Sequence, residues 1–153
     1  GDRGRTSILD FDSSMKISSS GLSAHRTWIN VLSANLANVN TTKTADGKPY
    51  ARKTVIYEST PFEAALKAES DPMMEESVQK VQVTDIVSDG RDFKSVYDPG
   101  HPDADAQGMV LMPNISPVEE MANLVNASKS YEANLAALNT AKQLAIKAID
   151  IGK

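Results

Sequence analysis

Between Pro117 and Gly152 no glycine or proline interrupts the chain, and this unbroken run limits what the sequence can fold into more than any other feature. Met121, Leu124, Tyr131, Leu135, Leu138, Ala145 and Ile149 recur along it at three-, four- and seven-residue steps, the period of one helix face. Ser116 suits an N-cap, Pro117 the first helical position, and Glu119 the reciprocal member of a capping box, so the helix should begin at Pro117. A run of about 35 residues at ~1.5 Å each is roughly 50 Å long, more than a domain of this size covers with its own chain. Val118, Ala122, Val125, Ala136, Leu144 and Ala148 add apolar surface beside the first stripe, so more than one neighbour is implied.

A second helical pattern lies near the other end. Met15, Leu22, Ile29 and Leu36 recur every seven residues, with Leu32 and Val39 three residues after the last two and Ser18 and His25 in the corresponding earlier places. Ala24, Trp28 and Val31 form a strip beside this seam. Asn38, Asn40, Thr41 and Thr42 favour turns and should end the helix. Between the helices the period shortens: 51–57, 78–87 and 93–97 read as strands, with Ser88 to Arg91 as a hairpin loop between the last two. Phe62 to Glu69 reads as a short helix, and Asp71-Pro72 and Asp98 to Gln107 as loop. The expected fold is mainly α with a small β insertion, its long N- and C-terminal helices paired as a coiled coil. It divides into an N-terminal extension (1–14), an N-terminal helix (15–42), a β-containing insertion (43–107) and a C-terminal helix segment (108–153).

Aromatics make up only 5% of the 153 residues, so the core must be built from aliphatic and Met side chains at close helical contacts. The formal net charge of -4, without a Lys/Arg block, gives no reason to bind nucleic acid. Cysteine is absent, which removes disulfides and thiolate chemistry. No apolar stretch approaches the roughly 18 residues of a membrane span, so no lipid insertion is expected. Asp10, Asp12 and Lys16 break the stretch where a secretory signal would need an apolar core.

Chemistry-bearing residues are few. His101, Asp103 and Asp105 lie close together in one loop, and Asp103, Asp105, Gln107 and Gly108 mimic part of a calcium loop. Its twelfth position is Asn114 instead of glutamate, and a strand precedes it. Turn capping is the preferred reading for these acids. His25 on a helix seam reads as a packing residue, and Glu119-Glu120 do not point the same way on a helix. No catalytic residue, metal or cofactor is expected. Asn35, Asn38, Asn123, Asn126, Asn134 and Asn139 are either a solvated face or amides that fix register between subunits.

Two segments carry a resemblance. Ile17 to Thr42, containing Ser-Ala-Asn-Leu-Ala-Asn-Val-Asn-Thr at 33–41, and Val96 to Lys153 resemble the flagellar axial proteins, the family of rod, hook and hook-associated subunits. The stretch DPGHPDADAQGMVLMPN (98–114) and the short middle segment look like the proximal-rod branch. Ala34 departs from the family, which often has a polar residue there, and residues 1–10 precede its usual start.

The resemblance implies a non-enzymatic structural subunit that polymerises through its terminal helices and transmits torque. It implies export by the flagellar type III apparatus and a place in the periplasmic rod of the basal body. Its partners would be other copies of itself, other rod proteins and the export apparatus. The expected assembly contacts are Leu22, Trp28, Ile29, Leu32, Asn35, Leu36, Asn38 and Val39 on the first helix, with Met121, Leu124, Tyr131, Leu135, Leu138 and Ile149 on the second. The rival readings are a distal-rod or hook subunit, and a small hydrolytic or metal-binding protein using the 98–105 loop.

Overall fold

The computed structural model describes residues 2–61 and 79–152. In chain order the elements are α1 (Asp2–Ala37), β1 (Lys53–Pro61), β2 (Gln79–Ser88), β3 (Lys94–Tyr97), β4 (Met109–Met112) and α2 (Pro117–Ile151). The helix expected over 62–69 and the loop at 71–72 lie outside the described residues.

α1 is rich in serine and threonine, whose hydroxyls return to the helix's own carbonyls: Ser20 to Ile17, Thr27 to Ser23 and Ser33 to Ile29. It ends where Asn38 folds back, donating from both its backbone N–H and its Nδ2 to the carbonyl of Ala34. A tight turn follows at Thr44 to Lys48, with Gly47 in the left-handed region. α2 begins at Pro117 as expected, and the Glu120 N–H bonds to the Ser116 carbonyl at 3.0 Å. The capping box is not completed in the expected way, because the Glu119 carboxylate meets Arg91.

β1 pairs with β2, and β3 pairs antiparallel with β4 in the register Lys94↔Met112 to Tyr97↔Met109. This corrects two expectations. Ser88 to Arg91 is not a hairpin loop, since β2 and β3 belong to different sheets. The fold is not mainly α with terminal helices paired as a coiled coil: helices of 36 and 35 residues share the chain with two small antiparallel sheets, whose strands have 9, 10, 4 and 4 residues. The physical reason lies in what fills the core. A coiled coil needs its a and d positions buried against a partner helix. Here Ile29 and Leu36 of the expected seam are only half-buried, and the largest fully buried side chains include Val110 of β4 and Pro113 and Ile115 just after it. β4 was expected within the C-terminal helix segment.

The described residues fall into two compact units. Of these residues the first unit takes 2–27, 57–61, 79–84 and 128–152, and the second Trp28–Ile56 and Asp85–Ala127. In the first, Leu22 and Ala24 are buried, and Leu22, Met15 and His25 line one cleft with Ala137, Leu138 and Ala141. The second holds Val31, Leu32, Tyr50, Val110 and Ile115 together with four buried polar residues, Asn35, Arg52, Asn114 and Glu120. No described helix is long and apolar enough to cross a membrane.

Candidate functional site

The second unit is organised around a polar cluster. Asn35 reaches it from α1 with its side chain fully buried. Its Oδ1 accepts from the Lys53 N–H and the Tyr50 hydroxyl, each at 3.0 Å. Its Nδ2 donates to the Lys53 carbonyl at 2.9 Å and to Glu120 Oε2 at 3.2 Å. The amide thus pairs with both backbone groups of the first residue of β1, as a neighbouring strand would, and all four of its bonding positions are filled.

Arg52, just before β1, continues the cluster. Its Nε lies 2.5 Å from Glu120 Oε1 and its Nη1 3.0 Å from Asp89 Oδ2, while its Cζ stands 6.0 Å from the centre of the Trp28 ring. Asn114 accepts from the Arg52 N–H at 2.7 Å and donates to Asp89 Oδ1 and to the Arg91 carbonyl. Arg91 bridges Asp89 and Glu119, each at 3.2 Å. A chain of alternating charge therefore runs Glu120, Arg52, Asp89, Arg91, Glu119, from the core to the surface and back to the first turn of α2. Burial opposes the Arg52 charge, but the bonds from Glu120 and Asp89 outweigh it and hold the pKa above the ordinary arginine value. Burial, helped by the nearby Glu120, pushes the Tyr50 hydroxyl upward, so it stays a neutral donor to Asn35. The Arg91 guanidinium holds the exposed Glu119 carboxyl below its usual range. Every group here has a partner, which describes a rigid joint and not a reactive centre.

The expected contact residues separate by burial. Leu22, Leu32 and Asn35 are buried; Trp28, Ile29, Leu36, Asn38, Val39, Leu124, Tyr131 and Leu138 are half-buried; Met121, Leu135 and Ile149 are exposed. Asn38 is engaged in ending α1, where its Oδ1 also accepts from the Thr41 hydroxyl. Sequence reasoning missed Tyr50, Arg52, Asp89, Asn114 and Glu120 as a group. One signal was present: Glu120 stands seven residues before Ala127 and four before Leu124, so helical period alone places a carboxylate on the inward row of α2.

The 98–107 loop joins β3 to β4, and its acids bond within the loop, to the start of β4 and to Thr42. Asp105 Oδ1 accepts from the N–H groups of Gln107 and Met109, Asp103 accepts from the Thr42 hydroxyl, and His101 Nδ1 accepts from the Asp103 N–H. Among the described residues no group of three His, Cys, Asp or Glu side chains is placed to hold a metal ion.

A long helix α2 with exposed apolar residues, held to α1 by a fully bonded polar core, fits a structural protein. Comparison with known families gives the class: the model described as flagella basal body rod protein matches residues 15–43, and that described as flagellar basal body rod FlgEFG protein C-terminal matches 106–151. Flagellar basal-body rod protein FlgC of Bacillus subtilis is 41% identical over 92% of this chain and 97% of its own length. The Borreliella burgdorferi protein of the same name is 38% identical over 91% and 95%, and that of Escherichia coli O6:H1 36% identical over 90% and 94%. The chain belongs to the flagellar basal-body rod protein FlgC family, and its function is that of a structural subunit of the flagellar rod in the basal body.

Proposed function

We propose that this chain polymerises in the proximal, periplasmic part of the rod after export by the flagellar type III apparatus, and that it transmits torque by packing alone, without catalysis. Its partners in this reading are other copies of itself, other rod proteins and, during delivery, the export apparatus. The observation that carries the reading is the surface of α2. Among its described residues only Glu120 and Ala127 are buried, while Met121, Leu135, Leu144, Ile146 and Ile149 are exposed. Such a length of apolar surface is costly to leave in water and marks an interaction site. The close likeness to FlgC proteins over nearly the whole length, together with the short segment between the helices, supports the proximal position.

The expected contact set is accordingly narrowed. Leu22, Leu32 and Asn35 belong to the interior of one subunit, and Met121, Leu135 and Ile149 are the residues offered to neighbours. Replacing these three by serine should lower the unfolding free energy of the free chain by no more than about 1 kcal/mol at Met121 and Ile149 and about 2 kcal/mol at Leu135, which is 37% exposed. The same variant, expressed as the only copy, should fail to enter the rod and leave cells non-motile. Normal motility and normal incorporation would contradict this assignment.

A further inference from the structure

α2 has little apolar contact to fix its setting within the second unit. Its buried residues are a glutamate and an alanine, with Leu124 half-buried, and so small an apolar contact packs nearly as well after a small slide or rotation, because burial of apolar area is non-directional. Glu120 is different in kind. One oxygen accepts from Arg52 Nε at 2.5 Å and the other from Asn35 Nδ2 at 3.2 Å. Both donors are themselves immobilised: Asn35 by the backbone of Lys53 and the Tyr50 hydroxyl, Arg52 by Asp89 and through its N–H by Asn114. A carboxylate held on both oxygens by two fixed donors tolerates neither a slide nor a turn.

We propose that Glu120 is a positioning residue that sets the register of α2 against α1 within the second unit, so that the apolar rows of α2 meet a neighbouring subunit in one setting. The last clause rests on the assembly reading above; the register itself does not. A buried ion pair often adds little net stability over apolar side chains of the same size, and fixing register is the best-attested use of such groups. Replacing Arg52 and Glu120 together should therefore leave the fold in place and loosen its setting.

The test uses the free full-length chain. Because it contains no cysteine, spin labels can be placed at Ser33→Cys and Asn126→Cys alone, both exposed and both in the second unit. With the native cluster, the label-to-label distance should be a single narrow distribution. In Arg52→Met/Glu120→Met it should broaden or gain a second maximum, a one-turn slip being about 5.4 Å, with helical content retained. A folded double variant with the original narrow distribution would overturn the proposal. Should that variant not fold, Glu120→Gln decides, since it keeps the size but offers an acceptor to only one of the two donors. Broadening supports the proposal and an unchanged distribution overturns it. A role limited to stability would lower the melting temperature without a second distance. As the distances are read before any assembly, their outcome is separate from whether the chain enters the rod.

Discussion

Asn35 fills all four of its hydrogen-bonding positions inside one subunit, although its place in an Asn-rich helical signature suggests a contact offered outward. Truncating it to alanine would leave the Lys53 backbone and a Glu120 oxygen without that partner in a buried site, and should cost about 3 kcal/mol in chemical denaturation. Asn35→Asp keeps the shape but turns the donor facing Glu120 into an acceptor, so it should be no better tolerated. Leu32→Ala, at another fully buried position, should cost about 2 to 5 kcal/mol. The Arg91–Glu119 pair gives a pH dependence with a definite sign. Glu119 is held below its ordinary value of 4.5, so the pair's contribution is complete above that value and is lost as pH falls through the depressed one. Melting temperature followed below about pH 5 should fall less steeply for Glu119→Gln than for the native chain. Single residues of this cluster were hard to read in the sequence because a buried charge has no local signature. Arg52 sits in a run, Ala51-Arg52-Lys53, that looks like any strand start, and its partners are 37 and 68 residues away.

At the scale of elements, period served well where a helix or strand carries its own pattern. α2 begins at Pro117, and β1, β2 and β3 lie within a few residues of the alternating runs at 51–57, 78–87 and 93–97. It failed where pairing decides. β4 is a four-residue apolar run, Met109 to Met112, too short for periodicity to assign, and only its partner β3 defines it. Assigning that run to the helical segment removed β3's partner and left the Asp89 turn to serve as a hairpin that does not exist. The true β3–β4 connection places Gly108 at φ +80°, where an added Cβ would stand 2.9 Å from Tyr97 Cε2 and 3.1 Å from Pro99 Cβ. Gly108→Ala should destabilise the chain by more than about 1 kcal/mol. Gly21, inside α1 with nothing within 4 Å of such a Cβ, provides the contrast, and Gly21→Ala should stabilise by roughly 0.5 to 1 kcal/mol in the same denaturation assay.

For the molecule as a whole, both long helices were legible from their period and length, but the apolar surface they leave exposed lies on α2, at Met121, Leu135, Leu144, Ile146 and Ile149. The coiled-coil pairing expected from the heptad spacing was not found. Heptad spacing records which side chains share a face, and it does not say whether that face meets a helix or the residues around a strand. The central claim is that this chain is a structural subunit of the flagellar rod. The turn at 45–48 is exposed and contributes no side chain to the buried cluster, which makes it the place for a small tag. Electron cryomicroscopy of basal bodies purified from cells whose only copy carries the tag tests the claim most directly. Extra density is expected at repeated positions in the rod, on the export-gate side of the distal rod. Complete rods without tag density, with the tagged chain remaining soluble and monomeric, would contradict the claim.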